Sequence, residues 1–231
     1  MQRELTTAGG LLDGRGRLAA AGWAKRPLLR YERSRVRASP LRIKEWDYYE
    51  VINPEYGIVL LVYDIGYQGR ALVKWMDFRA GTFEEHGPTV WFPRGAMGLP
   101  ASSESGDVVF DRDGVHWECR RGSDGLRTFS FAFPGFRGGT GLSGPLALAE
   151  ARGADSMVNA IPFRRAHQFV YAQKVNCLVP DGAVSIGGTG YRFSSGNRSF
   201  GCLDWSRAVF PYRVAWRWCT AAGTVGGVPF G

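Results

Sequence analysis

The sequence predicts an all-β chain folded as an antiparallel barrel or sandwich, and three observations carry that expectation. Short runs rich in aromatic and β-branched residues recur from residue 41 onward. Turns containing Gly, Asp and Pro separate them. No stretch keeps a helical period of apolar residues long enough to compete.

The elements follow in order. Residues 1–40 are punctuated by Gly9-Gly10, Gly14, Gly22, Pro27 and Pro40 and read as irregular, with a short helical turn allowed over residues 18–23. Residues 41–52 form the first strand, and residues 58–65 follow after Asn53-Pro54-Glu55. Gln68-Gly69 turns into residues 71–78, where Ala71, Val73 and Trp75 share one face because side chains alternate along a strand. Asp113-Gly114, between residues 108–110 and 115–119, is a two-residue hairpin signal. Residues 126–133 place Phe129, Phe131 and Phe133 on one face. Residues 146–151 read as strand. Residues 169–179 are expected to turn back on residues 184–187 across Pro180-Asp181-Gly182. Residues 213–220 read as one more strand, followed by a turn-rich stretch and a new segment at Val228-Pro229-Phe230-Gly231.

Composition narrows the classes. Of 231 residues, 45% are hydrophobic and 22% charged, which excludes collagen-like and disordered chains. Four Cys are too few for a disulfide scaffold. The net charge of +8 invites a nucleic-acid reading, but only four of the 29 basic residues are lysines. Such an arginine excess follows composition as readily as function. One cluster stands out: Lys25, Arg26, Arg30, Arg33, Arg35, Arg37, Arg42 and Lys44, against Glu32 and Glu45. A solvated basic segment is the plain reading, and anion binding the alternative. No nucleic-acid partner is expected, because the aromatic faces look inward rather than onto an open basic surface. The start lacks a signal-like apolar core, and the longest apolar run, residues 58–63, is far below the roughly 20 residues of a spanning helix. A soluble, cytoplasmic protein without an integral membrane segment is expected.

Several motifs fail on context. Gly139-Thr140-Gly141-Leu142-Ser143-Gly144 has dinucleotide-fingerprint spacing, but Pro145 follows at once and no βαβ unit surrounds it. Cys119, Cys177, Cys202 and Cys219 and the dispersed His86, His116 and His167 lack metal-ligand spacing. No metal or cofactor is expected, and the cysteines read as small buried hydrophobes.

Three constellations hold chemistry-bearing residues. The first runs from Phe200 to Arg213 and contains Asp204, Trp205, Arg207 and Tyr212. It reads as lying between strands, where the chain changes direction. Asp204 there is either a general acid in an apolar setting or an ion-pair partner of Arg207 or Arg213. The second is Lys44-Glu45-Trp46-Asp47-Tyr48-Tyr49-Glu50, a strand whose Glu45, Asp47 and Tyr49 share a face that reads as wet. The third is His86 on a turn, a proton shuttle or simply an exposed side chain.

Five blocks in order carry a resemblance. They are Gln2-Arg3-Glu4-Leu5-Thr6-Thr7, Gly22-Trp23-Ala24-Lys25-Arg26-Pro27, Arg42-Ile43-Lys44-Glu45-Trp46-Asp47-Tyr48-Tyr49, Lys174-Val175-Asn176-Cys177, and Leu203-Asp204-Trp205-Ser206-Arg207 with Pro211-Tyr212. The chain resembles an uncharacterised bacterial domain family of unknown function. That family is similar, more distantly, to the carotenoid 1,2-hydratase (hydroxyneurosporene synthase-like) group. The resemblance implies lipocalin- or calycin-like antiparallel β-barrels, two per chain. It implies a division into residues 1–40 packing on the barrel, a barrel over 41–212, and the start of a second, largely missing β unit over 213–231. A chain truncated there would present an unpaired edge near residues 213–220 and self-associate. Two functions follow. One is a carrier binding a lipid or isoprenoid-like molecule in the barrel cavity, lined by Trp46, Tyr48, Trp75, Trp91, Trp205 and Trp216. The other is a hydratase or cyclase in which Asp204 donates a proton, Arg207 or Arg213 sets the pKa of that acid, and Trp205, Tyr212, Trp216 and Trp46 stabilise a carbocation.

Overall fold

A computed structural model describes residues 3–150 and 153–231. Gln2 of the first quoted block and residue 151 of the expected 146–151 strand lie outside the described residues. The N-terminal segment contributes β1 (Gly9–Gly10), β2 (Gly22–Ala24) and β3 (Leu29–Arg30). There follow β4 (Ile43–Ile52), β5 (Tyr56–Asp64), β6 (Gln68–Asp77), β7 (Thr82–His86) and β8 (Thr89–Trp91). A second series is β9 (Val108–Arg112), β10 (Val115–Arg121), β11 (Arg127–Phe133) and β12 (Leu142–Ala149). The last strands are β13 (Met157–Pro162), β14 (Phe169–Ile186), β15 (Thr189–Phe193), β16 (Phe200–Val209), β17 (Gly223–Val225) and β18 (Val228–Phe230).

The main sheet runs β7-β6-β5-β4-β16-β14-β12-β11-β10-β9 and curls into an antiparallel, lipocalin-like half-barrel. Contacts across the hollow record the curl. Tyr49 on β4 packs edge-on against Phe129 on β11 at 4.8 Å, and Arg121 on β10 reaches Asp47 on β4. Register defines two faces. Glu45, Asp47 and Tyr49 on β4 stand opposite Arg207, Trp205 and Leu203 on β16, and all six point inward. Trp46, Tyr48 and Glu50 stand opposite Ser206, Asp204 and Cys202 on the outer face.

The inward face is filled. Trp117, Trp205, Tyr49, Tyr171, Phe133 and Phe193 are among its largest fully buried side chains. Phe129, Phe131 and Phe133 line it as their alternation predicts, as do Ala71, Val73 and Trp75. The 113–114 turn also forms as expected. Asp113 and Gly114 adopt φ of 54° and 76°, the left-handed pair that a tight hairpin with this twist requires. The N-terminal segment closes one side of the hollow with Leu11, Leu12 and Tyr31. Its residues 22–24 are strand rather than helix, because β2 pairs with the edge strand β13.

Three other expectations are corrected. Pro180-Asp181-Gly182 is no hairpin turn: β14 runs through it for 18 residues. Its first half pairs with β13 and β16, its second with β12 and β15. Between the halves the register shifts at a bulge, where Cys177 has φ of 56°. Gly182 has φ of 143°, and a Cβ there would lie 2.5 Å from the Pro145 carbonyl, so glycine lets β12 and β14 approach. The hairpin turn comes later, at Gly187-Gly188 before β15. The segment holding Asp204 is not a direction change either, since residues 200–209 are the central strand β16. Residues 213–220 form no strand, so the expected edge there is absent, and β17 and β18 pair with each other. Among the described residues no helix is long and apolar enough to cross a membrane.

Candidate functional site

The outer face of β4, β13, β14 and β16 is where space remains. A hollow of about 650 Å³ lies there, floored by Trp46, Asp204, Ser206 and Lys174 and roofed by Trp216 and Trp218. A second, of about 590 Å³, adjoins it over Tyr48, Leu61 and Tyr63 and shares the same two roof tryptophans. Both volumes fall within the range of small-molecule pockets.

Aromatic stacking builds the groove. Phe210, just past β16, stacks on Trp46 at 6.1 Å and on Trp216 at 5.5 Å. Trp218 meets Tyr48 edge-on at 5.7 Å. Thr220 Oγ1 donates to Asn176 Oδ1 at 2.8 Å and ties the covering segment to β14. Residues 214–220 therefore lie over the sheet as a strap although they form no strand. Trp216 remains 63% exposed and Trp218 43% exposed, so the roof is thin.

Asp204 lies in the floor. Its Oδ1 accepts from Trp46 Nε1 at 3.1 Å and from Ser206 Oγ at 2.9 Å, and Lys174 Nζ on the neighbouring strand pairs with it. The expected partners, Arg207 and Arg213, do not contact it. Arg207 points the other way because it sits an odd number of residues along the same strand. With three donors converging on one oxygen, the carboxylate is wired as an acceptor. Around it, burial pushes the Tyr48 phenol up and the Cys202 thiol up to about 12, and holds the Glu50 carboxyl above its ordinary value. Cys202 Sγ donates to Glu50 Oε2 at 3.7 Å.

The other candidates separate by face. Trp46, Tyr48 and Trp216 join Asp204 in the outer groove. Trp205 and Trp75 lie inside as packed core, Trp205 against Tyr171 and Trp75 against Tyr56 and Tyr191. Trp91, on edge strand β8, is 67% exposed and stands apart from both hollows. Tyr212 is 90% exposed and lines a different, basic hollow. His86 is half-buried, edge-on to Phe133. Cys119 and Cys202 are buried as expected, but Cys177 is only half-buried and Cys219 is exposed. Lys174, Phe210 and Trp218 are groove residues that the sequence reading missed. Lys174 had a signal, since alternation along β14 sets it beside Asp204 once strand pairing is known.

The acidic face of β4 reverses its expectation. Glu45 and Asp47 are buried, not wet. Asp47 pairs with Arg121 at 2.5 Å, and Arg207 Nη2 lies 2.9 Å from its Oδ1 without an aligned hydrogen bond. Glu45 pairs with Arg33 and accepts from the Tyr31 hydroxyl at 2.7 Å. Arg207 stacks on the Trp205 ring at 4.3 Å and donates to the carbonyls of Trp46 and Pro100. These contacts offset the cost of burying charge. Pairing also accounts for most of the basic 25–44 segment: Lys25 holds Asp155, Arg26 holds Glu150, and Arg30 and Arg35 share Glu32.

A curled antiparallel half-barrel with a filled interior and an aromatic groove outside defines a lipocalin-like β protein. Within that class the chain belongs to the family described as domain of unknown function DUF2804, which matches residues 2–231. No protein of curated function matches it. Among solved structures, an AttH candidate from Nitrosomonas europaea aligns with 14% identity and a TM-score of 0.46, over 80% of this chain and 56% of that one. The structure of CghA aligns with 11% identity and a TM-score of 0.41, over 89% of this chain and 56% of that one. The chain thus spans just over half the length of either structure.

Proposed function

We propose that this chain binds an apolar, lipid- or isoprenoid-like small molecule, and that the outer groove rather than the barrel interior receives it. One observation carries the reading: Trp46, Phe210 and Trp216 stack around a hollow of about 650 Å³ while bulky side chains fill the interior. Aromatic walls give an apolar ligand large contact area at little loss of side-chain freedom. Asp204, Lys174 and Ser206 in the floor, with Asn159 and Asn176 further along the lining, supply polar groups that would orient it.

The alternative, an acid-catalysed hydratase or cyclase, keeps one supporting observation. Asp204 lines the same hollow as Trp46 and Trp216, which suit a carbocation. Its three donors weigh toward an orienting role instead. Titration with the neutral dye Nile red, followed by dye and tryptophan fluorescence, tests the binding reading. Saturable binding is expected, with Trp216→Ala weakening it about fivefold, or about 1 kcal/mol. Binding unaffected by Trp216→Ala and by Trp46→Ala would place the dye elsewhere and sink the groove.

A further inference from the structure

Next to the groove lies a third hollow of about 590 Å³, and its lining is basic. Arg37, Arg42, Arg164, Arg165 and His167 surround it, and no Asp or Glu does. Sequence scatters these residues over 130 positions, and the sheet gathers them. Pro162 pairs with Phe169, Phe169 with Val209 and Val209 with Ile43, so one row crosses four strands. The 163–168 turn and the approach to β4 therefore meet at one end of the sheet.

These arginines differ from their neighbours. Arg30, Arg33 and Arg35 each hold a carboxylate. Among the described residues, Arg37, Arg42, Arg164 and Arg165 pair with none. Arg42 Nη2 donates to the Phe210 carbonyl at 2.6 Å, which sets its guanidinium at the junction with the groove. His167 places Nδ1 3.2 Å from the Gly16 carbonyl. Like charges gathered in a concave hollow focus a positive potential, and guanidinium groups match the geometry of carboxylate and phosphate. A concave site suits one head group rather than a flat membrane surface.

The basic and aromatic hollows adjoin. Phe163 lines both the basic hollow and the 650 Å³ hollow, and Pro211 lines both the basic hollow and the second groove. Resting on the groove reading above, we propose that the ligand is an anionic single-chain amphiphile. Its apolar body lies under Trp216 and Trp218, and its oxyanion head, a carboxylate or phosphate, lies among Arg37, Arg42, Arg164 and Arg165.

Calorimetry with the full chain tests this, using decanol, decanoate and decyl phosphate as monomers and inorganic phosphate alone. Arg164 and Arg165 lie on an exposed turn with no ion pair, so the double variant R164A/R165A leaves the sheet intact, and R164E/R165E reverses the charge. Charge-assisted hydrogen bonds predict that both anions bind about tenfold tighter than decanol. R164A/R165A should reduce that preference and leave decanol binding unchanged, and R164E/R165E should abolish it. Equal affinity for all three, or a preference that survives both variants, overturns the proposal. Inorganic phosphate binding as tightly as decyl phosphate would show a head-group site unconnected to the groove, again overturning it while leaving the groove reading intact. Co-sedimentation with anionic phospholipid vesicles, without binding of decyl phosphate, would assign the arginines to a membrane surface. Failure of decanol and Nile red alike would remove the groove reading itself.

Discussion

On β4, Glu45, Asp47 and Tyr49 face the filled interior, while Trp46, Tyr48 and Glu50 face outward, the first two onto the open groove. Polarity alone would have turned the strand over. Counter-charge decides it instead: Arg33, Arg121 and Arg207 come from three distant parts of the chain to meet two carboxylates inside. The tryptophan side is then left outward, where Phe210 and the 214–220 strap cover it. The interior is thus stabilised by paired charges among aromatics, and the outer face keeps apolar surface with room beside it.

The largest effect should come from breaking the inner face. Asp47→Ala leaves Arg121 and Arg207 buried without their carboxylate and is expected to cost about 3–5 kcal/mol in urea unfolding. A loss under about 1 kcal/mol would mean that water reaches this end of the barrel. The paired substitutions Trp205→Ala and Trp46→Ala sharpen the contrast. The inner tryptophan should cost about 3 kcal/mol or more, because truncation opens a cavity in packed core. The outer one should cost about 1 kcal/mol, because less of its surface leaves water on folding. Equal losses would erase the distinction between the faces.

The smallest effect concerns Glu50. Burial raises its folded-state carboxyl pKa above the ordinary 4.5, with weaker downward pulls from Cys202, Tyr48 and Lys74. The folded chain therefore holds this proton more tightly than the unfolded chain. Stability from this group is complete below about 4.5 and falls as pH rises through the folded value. Glu50→Gln should gain Tm relative to the parent as pH climbs from about 4.5 to neutrality. A difference constant across that range would contradict the burial of this carboxyl.

Much of the fold was legible because period-two alternation is local. Phe129-Ser130-Phe131-Ala132-Phe133 and Asp113-Gly114 needed no partner to be read. The errors arose where pairing decides. Pro180-Asp181-Gly182 looks like a turn, yet Pro180 opposite Leu148 and Gly182 opposite Leu146 fit within a strand whose partners accommodate them. Strand β16 alternates over Leu203-Asp204-Trp205-Ser206, but the inward-facing Arg207 breaks the pattern that would have marked it as a strand. Residues 213–220 carry β-formers, but nothing pairs with them. Of the site, Trp46, Tyr48, Asp204 and Trp216 were visible as residue types. Their common face was not, because it needs the register between β4 and β16. The basic hollow was invisible for the same reason: Arg164 and Arg165 meet Arg37 only through the row of strands between them.

Strand β14 has a consequence for how the half-barrel can be divided. Its first half serves β13 and β16, and its second serves β12 and β15, with the handover at the Cys177 bulge. No backbone cut at that handover yields two self-contained pieces. Each fragment would carry away half a strand and expose raw amide and carbonyl groups along the break. The half-barrel is therefore one indivisible unit at its seam, held together there by covalent chain as well as by hydrogen bonds.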